Sequence, residues 1–213
     1  MVEREKAKDL NRAKIRAAAE SIIRNEGIDK LTMRRLATEA GVSSRTPYNL
    51  FGSKTEVLIA LMDGAQFDPF QNAPSVADRT VLQALLGALD QFETFIRADE
   101  EFFRVVFKEI VASDETDLRF DAVERVIAVG EMFIGQAKIN DEIEGGTNVK
   151  LLAADLAYQV LTMMGMWSDN IYPIAQGTDQ VRRGWCTMLM AHCSEGARPI
   201  LHETYQTLLS PRK

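Results

Sequence analysis

The sequence predicts an all-α protein, with a small N-terminal three-helix bundle followed by a larger helical domain. Three observations carry this prediction. Apolar residues recur at helical spacing along most of the chain, no stretch alternates like a strand, and the charge changes sign near residue 56. Of 213 residues, 46% are hydrophobic and 26% charged, which suits a folded chain in water. Residues 1–56 hold 12 Lys or Arg against 8 acids, a charge of +4, and the remainder holds 13 against 23, a charge of −10. The total of −6 therefore averages two segments, and only the first suits a polyanion. Apolar stretches such as Leu161 to Trp167, itself broken by Thr162 and Gly165, are far short of the roughly 18 residues a membrane span needs. The first ten residues lack the apolar core of a secretory signal, and the two cysteines, Cys186 and Cys193, suit a reducing compartment. A cytoplasmic protein without a membrane partner is expected.

The elements follow from local pattern. Ile15, Ala18, Ala19, Ile22 and Ile23 form one buried stripe of a first helix, which Gly27 ends. Met33, Leu36, Ala37 and Ala40 make a shorter second stripe, capped by the Thr32 hydroxyl and followed by Gly41. Pro47, Leu50 and Phe51 give a third helix of about two turns, with Ser43 or Ser44 as its cap. The missing N–H of Pro47 costs nothing within the first three helical positions, which favours Ser44. Ser53-Lys54-Thr55-Glu56 reads as a capping box launching a helix with Val57, Leu58, Leu61 and Met62 inward. The segment Gln66 to Ser75, with two prolines, reads as a linker. Further helices are predicted over 78–98, 100–111, 118–138, 148–167, 179–193 and 198–208, separated by SDETD, NDEIEGGT and YPIAQGT. The domains expected are 1–56 and 57–213.

The second and third helices, joined through Ala40-Gly41-Val42-Ser43, have the arrangement of a helix-turn-helix. Gly41 permits the turn, Val42 fills the angle, and Leu36, Ala37, Leu50 and Phe51 make a small core. Ser43, Ser44, Arg45, Thr46, Tyr48 and Asn49 then face outward. Arg45 can make a bidentate contact to guanine, Asn49 can do the same for adenine, and the Thr46 methyl can meet thymine. Tyr48, Lys54 and the start of the second helix at Thr32 and Arg34 are placed for phosphate oxygens, which set register.

The segment from the first helix through LTMRRLATEAGVSSRTPYNLFGSKTEVL, Leu31 to Leu58, resembles the DNA-binding domain of the TetR family of transcriptional regulators. Thr32, Ala37, Gly41-Val42-Ser43, Tyr48, Phe51, Ser53-Lys54 and Leu58 carry the likeness, which covers about the first 60 residues. Pro47, Arg45 and Leu50 depart from the residues usual in that family. The resemblance implies a homodimer on a double-stranded palindromic operator, usually a repressor, released by a small-molecule effector bound in the helical domain. The linker helix from Ser53 to about Gln66 would transmit the signal.

The helices over 148–167 and 179–193 are the dimer candidates. Leu152, Leu156, Val160 and Met163 form one stripe, and Val181, Trp185, Met188 and His192 form another. Aromatics and methionines of the middle helices suggest an adaptable apolar effector pocket, with Phe103, Phe107, Met163 and Trp167 as its candidate residues and Asp155 and Tyr158 as polar contacts. No catalytic or phosphate-loop motif occurs, so neither an enzyme nor a cofactor is expected. Cys186, His192 and Cys193 lie within one short stretch, but their spacing leaves a tetrahedral metal short of ligands. The alternative reading is a helical small-molecule-binding or catalytic domain whose helix-turn-helix no longer reads DNA.

Overall fold

The computed structural model describes residues 2–64 and 80–209, without the side chains of 2–4, 63–64 and 116–119. The proposed linker Gln66 to Ser75 lies outside these residues. The described chain is helical with no β-strand: α1 Val2–Glu26, α2 Met33–Glu39, α3 Thr46–Phe51, α4 Lys54–Gly64, α5 Val81–Ala98, α6 Glu100–Ala112, α7 Thr116–Ile139, α8 Val149–Ser168, α9 Ile174–Met190 and α10 Arg198–Leu209. It divides into two compact units. One holds α1–α4 and α6, and the other holds α5, α7 from Phe120 onward, and α8–α10.

In the first unit, the stripe Ile15, Ala18, Ala19, Ile22 and Ile23 is buried as its period requires, together with Met33, Leu36, Ala37, Phe51, Val57, Leu58 and Leu61. Thr32 Oγ1 accepts from the Arg35 amide at 3.1 Å and caps α2. At the other end Val42 N donates to Ala37 O and Gly41 N to Thr38 O, a Schellman closure made possible by Gly41 at φ +64°. Two later helices close in the same way with Asp141 and Asn170 in the left-handed position, at φ 57° and 59°. The Glu56 amide donates to Ser53 Oγ at 3.2 Å, one half of the predicted capping box. Helix α6 packs against α4 within this unit, where Thr55 Oγ1 is hydrogen-bonded to Ser113 Oγ and donates to Glu115 at 2.7 Å.

Helix α3 differs from expectation at its start. Its N-cap is Arg45, in right-handed conformation and without a side-chain cap bond. Ser44 does not cap it, and Ser43 Oγ is instead hydrogen-bonded to Thr46 Oγ1 at 2.8 Å. Pro47 falls within the first turn, where its missing N–H has no helical acceptor to lose.

In the second unit α9 starts at Ile174, five residues before the predicted Asp179. Gly177 weakens the helical pattern in sequence, yet a Cβ there would come 2.7 Å from both Met163 Cγ and Tyr172 Cε2. The glycine serves close packing, not a turn. Trp185 Nε1 donates to Leu156 O at 3.1 Å, which joins α9 to α8. Between α5 and α9, Thr178 Oγ1 donates to the buried Glu93 carboxylate at 2.7 Å, and the buried Arg182 pairs with Asp90 and Asp179. Cys186 is buried there, and burial pushes its thiol up to about 11, so it is protonated and unreactive near neutral pH.

The start of α5 is capped from a distance. Glu142, in the loop after α7, accepts from the amides of Val81 and Leu82 at 2.8 and 2.9 Å. The same loop pairs with the end of α9 through Ser194 N to Glu142 O, Glu144 N to His192 O, and an isolated antiparallel bridge between Ile143 and Cys193. A carboxylate on two free helical amides also meets the positive end of the helix. Glu142→Ala should therefore destabilise the protein by about 1–2 kcal/mol, read as a lower denaturant midpoint. An unchanged midpoint would show the cap to be replaced by water.

Candidate nucleic-acid interface

The helix-turn-helix fixes which side chains face outward. Leu36 and Ala37 anchor α2, while Pro47 and Phe51 anchor α3 on the same core. The remaining face of α3 and the turn before it is open: Ser43, Ser44, Arg45, Tyr48 and Asn49 are exposed and Thr46 is half-buried. Tyr48 is 56% exposed despite its ring. Thr32 and Arg34 are also exposed at the start of α2. Eight of the nine sequence-predicted residues thus lie on the open surface of the two short helices or just before them. The ninth, Lys54, starts α4; its ammonium donates to Glu109 at 2.7 Å and to the Ile28 carbonyl at 3.5 Å.

The cations of this unit fall into two groups. Arg24 is shared by Glu20 and Asp99 and lies over the Phe102 ring, Arg35 is shared by Glu26 and Glu39, and Arg104 pairs with Glu100. The hydrogen bond from Arg35 holds the Glu26 carboxyl below its usual value. By contrast Arg34 and Arg45 have no carboxylate within ion-pair distance among the described residues. An exposed arginine with five donors and no internal partner beside an outward Asn and Tyr can take up bases and phosphates without first breaking an ion pair.

The candidate effector residues are divided between the units. Phe103 and Phe107 lie on α6 in the first, where Phe103 is buried edge-on against Phe102 with centroids 5.4 Å apart. Met163 and Trp167 lie on α8 in the second, and both are buried. Asp155 and Tyr158 are exposed on α8. Met163 does line a cavity, a groove of about 620 Å³ between α8 and α9 whose other walls include Tyr158, Thr162, Met166, Tyr172 and Gln180. A second cavity of about 350 Å³ is lined by Gln83, Leu86, Gly87, Asp90, Arg182 and Thr204. Sequence reasoning missed it, although a signal existed. Arg182 stands in register with Thr178, Val181, Trp185, Cys186 and Leu189, the buried stripe of α9, where a lone arginine requires partners from another element. Among the described residues no cluster of His, Cys, Asp or Glu could hold a metal ion, and no described helix is long and apolar enough to cross a membrane.

The fold and this surface define an all-helical protein with an N-terminal helix-turn-helix domain. Residues 15–61 match the family of bacterial regulatory proteins, tetR family. Solved structures extend the likeness of fold to the whole chain. SmeT, the repressor of a Stenotrophomonas maltophilia multidrug efflux pump, is 18% identical in its complex with triclosan, covering 88% of this chain and 93% of that one, with a TM-score of 0.61. FadR of Thermus thermophilus, a transcriptional repressor solved with lauroyl-CoA, is 18% identical over 81% of this chain and 91% of its own, with a TM-score of 0.64. TylP, a regulator from Streptomyces fradiae, is 16% identical over 99% and 94%, with a TM-score of 0.63. Among curated proteins none matches this sequence.

Proposed function

We propose that this protein is a ligand-responsive transcriptional regulator, a repressor that binds a palindromic operator as a homodimer and leaves it when a small, largely apolar effector binds. The observation that carries this reading is the open face of α3, where Arg45 and Asn49 stand exposed and Arg45 has no carboxylate partner. Arg45, Thr46 and Asn49 read base edges, while Ser43, Ser44, Tyr48, Thr32 and Arg34 hold the backbone. Lys54 joins them with whatever donor capacity Glu109 and the Ile28 carbonyl leave it. Pairing of two copies through α8 and α9 is supported by the apolar side chains α8 leaves in water, with Leu151 63% exposed, Tyr158 56% and Met166 43%. The outward positions of α9 are more polar, with Gln176, Gln180 and Thr187 exposed, so α8 would supply the apolar part of the contact. An effector of apolar character agrees with triclosan and with the acyl chain of lauroyl-CoA, which are bound in two of the similar repressor structures. Of the candidate contacts, Met163, which lines the groove between α8 and α9, is the one proposed to meet it.

Selection from random duplex DNA tests the reading, since it should return a palindrome bound in a salt-dependent manner. Against that site Arg45→Ala should cost about 1–3 kcal/mol and relax the preference at one base pair. If no sequence is enriched, with or without a panel of lipophilic compounds, the protein is not a sequence-reading regulator. Should Arg45→Ala leave specific affinity intact, the base-reading role passes to another residue of α3.

A further inference from the structure

Helix α1 runs well beyond the core it serves. Among its described side chains the first buried is Ile15, and from Glu5 to Lys14 every side chain is exposed except the half-buried Asn11. Lys8, Asn11 and Arg12 stand seven, four and three positions before Ile15, so they continue the face that further along buries Ile15, Ala19 and Ile22. The apolar stripe thus gives way to a basic one. Lys8, Arg12 and Arg16 form a row of like charge at four-residue spacing, which disfavours a helix, and Glu5 and Asp9 lie to one side of it. Neither Lys8, Arg12 nor Arg16 has a carboxylate within ion-pair distance among the described residues. The guanidinium of Arg12 lies 5.1 Å above the ring of Phe51, the last residue of α3, which places the row beside the helix that carries Arg45 and Asn49. Lys8 lies about 10 Å further along α1 from Ile15.

We propose that this overhang is a second DNA contact, a phosphate clamp in which Lys8 and Arg12, with Arg16 behind them, hold the sugar–phosphate backbone next to the bases met by α3. The proposal rests on the DNA-binding reading above and adds an element to it. Charge complementarity selects the occupant. The row makes no ion pair among the described residues, whereas Arg24, Arg35, Lys54 and Arg104 of the same unit do, and a polyanion also relieves the repulsion between Lys8, Arg12 and Arg16. A clamp of this kind strengthens binding to every sequence equally, because phosphates carry no base information.

The test compares wild type, Lys8→Gln, and the double variant Lys8→Gln/Arg12→Gln on the selected operator and on a scrambled duplex across a salt series. Each lost phosphate contact lowers the slope of log affinity against log salt by about 0.9. Each substitution removes a contact from both copies of the dimer, so the single variant should lose about 1.8 units of slope and the double variant about 3.6, with operator and scrambled DNA weakened by the same factor. Lys8 touches nothing in the core, so the single variant keeps the fold. Lys150→Gln/Arg198→Gln, which removes two exposed cations from the other unit, should leave the slope unchanged. If wild type prefers the operator and both α1 variants keep its slope, the clamp is refuted while the regulator reading stands. If wild type binds all duplexes alike but the slope still falls, sequence reading fails and the clamp survives. Absence of any DNA binding by wild type, or an equal slope change in the Lys150/Arg198 control, overturns the clamp.

Discussion

Trp167→Ala should lower the unfolding free energy by about 3–5 kcal/mol, an effect expected only when a large fully buried side chain leaves a cavity behind. Trp167 has no exposed surface, and it sits one turn from Met163, on which α9 closes through Gly177. The backbone responds to the same site, because Trp167 O accepts from Asn170 N in the closure of α8. Denaturant titration followed by circular dichroism reads the effect as a lower midpoint. The experiment also bears on the candidate effector contact. If the indole were mainly a ligand-facing surface, truncation would leave stability nearly intact and reduce effector response alone. A midpoint within the error of wild type would therefore remove Trp167 from the core.

Leu36→Ala should cost about 2–5 kcal/mol for the same physical reason, but with a different functional consequence. Leu36 is fully buried in the first compact unit, the helix-turn-helix head, and its carbonyl accepts from Ala40 N just before the turn that leads into α3. Nothing on the exposed face of α3 changes, so loss of DNA binding would come from loss of the folded head. Operator affinity should fall near the new melting midpoint and return on cooling below it. An affinity that stays low at every temperature, in a protein that is folded, would mean that Leu36 sets the aim of α3 in addition to its stability.

The parts of this architecture legible in sequence are those settled within a few residues. The stripe from Ile15 to Ile23, the Thr32 cap and the Gly41 turn each depend on neighbours three to seven positions away, and all three are present. The start of α3 is not legible in the sequence, because two adjacent serines compete for one role and Ser43 is bonded to Thr46 instead. The start of α9 is hidden in the sequence because the fit of Gly177 is decided by Met163 and Tyr172. Partners far along the chain were not legible at all. Lys54 reads as an exposed phosphate ligand until Glu109 is seen beside it, and Arg182 reads as an exception within an apolar stripe until Asp90 is placed. Aromatic content likewise marks Phe103 and Phe107 as important without saying that their helix belongs with the head.

The long-range cap on α5 also bears on how the chain acquires its structure. Val81 and Leu82 wait for a carboxylate 61 and 60 residues further on. At about 5–20 residues per second of synthesis, that is a delay of roughly 3–12 s. During this interval the first turn of α5 has been made but its two amides have no Glu142 to bind. A nascent chain arrested before residue 142 should therefore carry α5 with a frayed beginning, and amide exchange at Val81 and Leu82 should slow only when the loop after α7 is in place.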